Sequence, residues 1–318
     1  MSEPLSPPEG FTIGHWSDPQ AETGCTVILP PAGASCGVDV RGGGPGSRET
    51  EVVSPLANAQ EATAVLLTGG SAFGLAAADG VARWCEQQGR GYQTPGGLVP
   101  LVPTAVIYDL MAGDGSVRPG PEQGFAACEA ARVGVPERGR VGAGTGAAVA
   151  KAMGRERATP GGVGYAAGRL GSGHTVAALA VVNATGDVIE ADGSALAEPR
   201  GEDGRSRRSA ELIASLEGPP EWASAESRES TTLVCVMTDA ELDKLGANKL
   251  ARMASAGIAR AIDPVFTPFD GDIVFCLASG DPERPGPRHS WRVLTAGTLA
   301  ATVTAAAIRD AIRTANPG

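Results

Sequence analysis

Apolar residues along the chain cluster into short runs of strand length, separated by longer stretches in which small and apolar residues recur at helical spacing. Thr26–Leu29, Ala64–Leu67, Val102–Ile107 and Val176–Val182 read as strands. Thr232–Val236 and Ile273–Leu277 are continuous and apolar, as strands covered on both faces are. The segment VAALAVVNATGDVIEA predicts a hairpin, with Asn183–Gly186 as the turn and Gly186–Glu190 as the returning strand. Helices are predicted over Ser71–Glu86, Glu122–Arg132 and Val293–Arg313. Another is predicted from a cap at Asp239 to Ile262, with Leu242, Leu245, Leu250, Met253 and Ile258 as its apolar stripe. Strands and helices do not alternate strictly, so the pattern predicts a layered α+β sandwich. One stretch breaks it: Gly193–Ser230 is polar, charged and turn-rich, then runs directly into TTLVCVMTDA. A mobile loop entering a core strand is a place where the chain can be cut without dismantling the fold.

Composition changes this picture in two ways. With 45 glycines among 318 residues and only 4% aromatics, the core is built from small side chains and close backbone approaches. A net charge of −10 without a basic block argues against nucleic acid as a partner. The six cysteines are scattered and suit buried thiols in a reducing compartment. The first residues carry no basic and apolar leader, and Val293–Ile308 is too rich in Ala and Thr for a membrane span. The expectation is a soluble, cytoplasmic protein that binds no membrane.

Familiar catalytic patterns fail. His15, His174 and His289 have no partner at metal-ligand spacing, and no HExxH is present, so no metal is expected. Gly70-Ser71-Ala72-Phe73-Gly74 places its serine one position too early for a nucleophile elbow. Gly142–Ala147 matches G-x-G-x-x-A but lacks a preceding strand and a later acidic residue for a ribose. A threonine needs no histidine if its own freed α-amine, with an unperturbed pKa of about 8, serves as base. Thr231, at the loop–strand junction, suits that role. Asp270 and Asp272, two apart before a strand, have side chains on one face. Lys151 ends an apolar Gly-rich run, and Asn183 offers an amide donor. Taken singly, each also has a plain structural reading: a solvated lysine, a turn asparagine, a turn of two aspartates, and for Tyr108 a core aromatic.

Seven blocks in order carry a resemblance over nearly the whole chain: VRGGGPGSRETE, LTGGSAFGLAAADGV, VPTAVIYDL, GRVGAGTGAAVAK, VVNATGDV, TTLVCVMTDA and TPFDGD. Together they resemble the L-aminopeptidase/D-esterase and β-aminopeptidase family, on the side of the nylon-oligomer hydrolases. The resemblance implies a four-layer αββα sandwich of the N-terminal-nucleophile type, shared with ornithine acetyltransferases. It implies a single hydrolase domain that cuts itself between Ser230 and Thr231 into chains 1–230 and 231–318. Thr231 is then the nucleophile and its amine the base; Lys151 and the Asp270–Asp272 pair tune that amine. Asn183 donates to the oxyanion, and Tyr108 lines the substrate cleft. No cofactor is implied; the expected form is a homotetramer acting on 6-aminohexanoate oligomers or short peptides. Relatives on the nylon-hydrolase side place Asn before the nucleophile, where this chain has Ser230. Three other readings stay open: a β-aminopeptidase or D-aminopeptidase-esterase, an acyltransferase like the ornithine acetyltransferases, and an uncleaved binding protein.

Overall fold

A computed structural model describes residues 5–201, 205–218, 230–282 and 287–317. Two five-stranded sheets organise it. The first runs in the order Thr12–Asp18, Thr23–Leu29, Val65–Thr68, Thr104–Val106, Ser47–Arg48. The second runs Gly162–Arg169, Thr175–Asn183, Thr231–Thr238, Ile273–Ala278, Ser35–Val40. Pairing in the second is antiparallel except between Thr231–Thr238 and Ile273–Ala278, which run parallel.

The period-two alternation of strand side chains sorts the core into slabs. Ala177, Leu179, Val181, Leu233, Cys235, Met237, Ile273 and Phe275 face the first sheet and meet Ile28, Val65 and Leu67 there. Their alternates, Val176, Ala178, Val182, Val234, Val236 and Val274, pack under the helices Lys244–Ala259 and Pro287–Ala315. On the far side, Cys25, Val27 and Leu66 pack against Ala77–Gln87 and Pro121–Glu129. The layers are therefore helix, sheet, sheet, helix, as the resemblance implied.

Small residues let these layers approach closely. A Cβ on Gly37 would lie 2.2 Å from the backbone N of Asn248, and one on Gly164 would lie 2.0 Å from the carbonyl O of Ala307. The long C-terminal helix has the length and hydropathy of a membrane span, yet it is a core helix with its apolar face against the second sheet.

Several local expectations change. The Asn183–Gly186 hairpin does not form: Thr175–Asn183 already has neighbours on both edges, so Asp187–Ile189 departs and pairs with Ala195–Ala197 and Ile262–Asp263. Asp243, not Asp239, caps the next helix, accepting from Gly246 N at 2.7 Å, while Asp239 accepts from Thr175 N. Leu245 consequently falls outside the apolar stripe and is exposed. The helix predicted over Ser71–Glu86 is two, Ser71–Gly74 and Ala77–Gln87. Strands Thr12–Asp18, Ser35–Val40 and Gly162–Arg169 carried too much glycine or polarity to be predicted. All six cysteines are buried free thiols. The polar stretch Gly193–Ser230 contains a short strand, Ala195–Ala197, and a short helix, Ser209–Ala214, whose first residue is held by the buried carboxylate of Asp187. The mobile loop was expected over the whole of this stretch, of which residues 202–204 and 219–229 lie outside the described residues.

Candidate active site

Thr231 opens the middle strand of the second sheet, and register places it directly opposite Asn183, the last residue of the neighbouring strand. Both are buried, as are Lys151, Ser230, Asp270 and Asp272. Asn183 is thus a strand terminus inside the fold, where a turn residue was predicted.

The peptide bond before Thr231 is held on two sides. The Thr231 hydroxyl donates to the Ser230 carbonyl oxygen at 2.6 Å, and the Gly271 backbone N–H donates to that same oxygen at 2.8 Å. An isolated parallel bridge joins Ser230 to Asp270, so the carbonyl cannot turn away without breaking backbone pairing. A side chain at position 271 would put its Cβ 2.7 Å from the Thr231 hydroxyl, which is why a glycine separates the aspartates. The Ser230 hydroxyl forms a hydrogen bond with the hydroxyl of Thr185.

Lys151 reaches Asn183 rather than solvent. Its Nζ donates to the Asn183 backbone oxygen at 3.0 Å and to Oδ1 at 3.2 Å. Asn183 Oδ1 also accepts from Ala148 N at 3.0 Å, and its Nδ2 donates to the Tyr108 carbonyl at 3.2 Å. The amide is therefore oriented by three partners from two stretches of chain. Lys151 follows Ala150, whose φ of 59° lies in the left-handed region. That conformation costs an alanine about 1–2 kcal/mol and is pinned by Ala150 N to Gly186 O and Lys151 N to Thr185 O. The turn it makes aims the lysine inward. Tyr108 is half-buried and meets the cluster through its backbone carbonyl.

The two carboxyls share one buried pocket. Asp272 Oδ1 accepts from Thr232 N at 2.6 Å, and Asp270 Oδ2 accepts from Thr267 N at 2.7 Å. Burial, then the neighbouring Asp270, pushes the Asp272 carboxyl up to about 7. Burial also raises Asp270, partly offset by the Thr267 hydrogen bonds and the charge of Lys151. Neighbouring buried like charges disfavour ionising both carboxyls at once. The glycine block Arg41–Gly44 clamps their backbone: Arg41 N and Gly42 N donate to the Asp272 carbonyl, and Gly44 N to that of Asp270. A Cβ on Gly42 would fall 2.0 Å from the Asp270 carbonyl oxygen.

Thr231, Ser230, Asn183, Lys151, Asp270, Asp272 and the Tyr108 backbone thus meet, although they come from five separate stretches of chain. Two contributors escaped sequence reading. Gly271 acts through its N–H, which leaves no mark beyond a glycine between two acids. Thr185 looked like an ordinary turn residue. The motifs set aside serve packing: Gly142 makes room for the Thr26 and His15 side chains, Gly144 lets the Gly162–Val163 backbone approach, and His15, His174 and His289 engage Thr26, Glu241 and Asp243. Among the described residues no cluster of three or more His, Cys, Asp or Glu is arranged to hold a metal.

The sequence model of peptidase family S58 matches residues 9–317. An uncharacterised aminopeptidase of Mycobacterium tuberculosis is 41% identical over 314 residues, covering 95% of this chain and 89% of that protein. The 6-aminohexanoate-oligomer endohydrolase of Paenarthrobacter ureafaciens is 29% identical, covering 95% and 84%. Among solved structures, the L-aminopeptidase D-Ala-esterase/amidase of Ochrobactrum anthropi, a variant of the N-terminal-nucleophile hydrolase fold, superposes with TM-score 0.70 at 20% identity, covering 99% and 89%. A Burkholderia β-aminopeptidase superposes with TM-score 0.67 at 21% identity, covering 98% and 88%.

Proposed function

Because the chain belongs to peptidase family S58 and is a hydrolase of amide bonds, we propose that it matures by cutting itself before Thr231 and then cleaves short linear amides with that threonine. The observation that carries this is the Ser230 carbonyl, held between the Thr231 hydroxyl at 2.6 Å and the Gly271 N–H at 2.8 Å. Attack of Thr231 Oγ on the Ser230 carbonyl carbon forms a C–O bond and breaks the C–N bond. The proton leaving Oγ ends on the Thr231 nitrogen, and water then hydrolyses the ester.

The residues divide the labour. Gly271 N–H stabilises the oxyanion that develops on the Ser230 carbonyl; in comparable sites one such donor is worth about 2.7–4 kcal/mol. The Asp270–Asp272 pair, with one carboxyl titrating near neutrality, supplies a base while the Thr231 amine is still an amide. After cleavage that amine takes over as base, and Lys151 lowers its proton affinity by charge. Asn183, fixed by its hydrogen bonds, offers its amide to the substrate oxyanion alongside the Gly271 N–H. Tyr108, half-buried beside Asn183, lines the substrate cleft in this reading. The substrates we propose are short peptides and 6-aminohexanoate oligomers, the latter following the nylon-oligomer relatives. No cofactor takes part in this scheme. The working form is a cytoplasmic homotetramer of processed units.

Intact mass of freshly purified protein, with N-terminal sequencing of fragments, tests the reading. The expected result is two chains of 230 and 88 residues (318 − 230 = 88), the smaller beginning Thr-Thr-Leu-Val, and a single chain for Thr231→Ala. Wild-type protein that stays whole after prolonged incubation overturns it and favours the uncleaved binding protein.

A further inference from the structure

In the uncleaved chain the site is already occupied, by the protein's own Ser230. Its carbonyl oxygen is held by the Thr231 hydroxyl and the Gly271 N–H, and its side chain is buried with the hydroxyl on Thr185 Oγ1. Maturation and turnover, under the proposed function on which this inference rests, pass through one kind of intermediate: an acyl group esterified to Thr231 Oγ. In maturation the acyl group is that of Ser230. In turnover it is the residue that contributes the carbonyl of the cleaved amide.

We infer that the seat of the Ser230 side chain becomes the acyl-side pocket of the mature enzyme, and that Thr185 makes it select small hydroxyl-bearing residues, serine above all. Two features carry this. First, the polar partner at the floor is a hydroxyl, able to donate or accept, which suits a seryl side chain and leaves a partner unmet beneath an apolar one. Second, the floor cannot retreat. The Thr185 carbonyl is tied to Lys151 N at 2.9 Å. The adjoining Gly186 is pressed so closely on the Asp263–Pro264 backbone that a Cβ there would lie 2.2 Å from the Pro264 oxygen.

The test uses processed wild-type enzyme and Thr185→Val with seryl, alanyl and leucyl p-nitroanilides. Wild type is expected to prefer seryl to leucyl by about ten-fold or more in kcat/KM, and seryl to alanyl by a smaller factor. Thr185→Val should abolish the seryl-over-alanyl preference, and Thr185→Ser should restore it. Equal rates on seryl and alanyl substrates, or a preference unchanged in Thr185→Val, overturn the inference while processing and hydrolysis leave the proposed function standing. Should Thr185→Val fail to mature, processing of the Ser230 variants decides. Ser230→Ala is expected to mature more slowly than wild type and Ser230→Leu slower still, whereas equal rates for all three overturn the selection. Wild type that neither matures nor hydrolyses any of the substrates overturns both readings.

Discussion

Asp272 links protonation to stability more directly than any other residue of the site. Its ordinary value is 3.8, and burial beside Asp270 raises it to about 7. The folded protein therefore holds a proton that the unfolded chain has released. The stabilisation is fully present below the unfolded value and is lost as pH rises through the folded one. In an uncleavable Thr231→Ala background, the melting temperature should fall between about pH 4 and pH 7 more steeply than in Thr231→Ala/Asp272→Asn. The linked free energy is at most about 4 kcal/mol across that window. Parallel curves for the two proteins would mean that Asp272 titrates normally.

At the scale of elements, both long helices owe their positions to glycines in the strands beneath them. Gly164 meets the backbone of the C-terminal helix at Ala307 and Ala311, and its replacement has nowhere to go. Gly164→Ala is expected to destabilise by about 1–3 kcal/mol or more, read as a lower denaturant midpoint at unchanged slope. Gly171→Ala, at a position with open space around it, should stay within about 0.5 kcal/mol. If the two variants unfold alike, the helix is not seated on backbone contact. The same economy shaped what could be read in advance. Thr175–Asn183 and Ile273–Ala278 were legible because their branched and apolar residues are continuous. Gly162–Arg169 was not, since a strand that must let a helix rest on its backbone gives up the side chains that announce it.

For the whole molecule, the Ser230–Thr231 bond, the proposed cleavage point, sits where a cut would leave the architecture intact. Thr231–Thr238 is the central strand of its sheet, flanked by Thr175–Asn183 from the first 230 residues and Ile273–Ala278 from the last 88 (318 − 230 = 88). Each of the two proposed chains would contribute strands to that sheet, so neither would have a complete core alone. The fragments should co-elute in native size-exclusion chromatography and separate only in denaturant, with light scattering giving a mass of four processed units. Separation under native conditions would refute this account of the sheet, and a smaller mass would refute the tetramer.

The sequence by itself determined the layered α+β class, the apolar central strands and the long helices, and the junction where a polar stretch meets a core strand. Periodicity and burial are local properties of a chain, and those statements need nothing else. It also supplied the catalytic candidates, but only through ordered blocks of resemblance, since a lysine, an asparagine and two aspartates each have ordinary reasons to exist. The tertiary structure decided how they meet. It made Asn183 a buried strand end opposite Thr231, turned Lys151 inward through Ala150, and set Gly271 N–H and Thr185 around Ser230. Backbone donors and shared pockets depend on which distant segments are brought side by side, and no spacing along one chain encodes that.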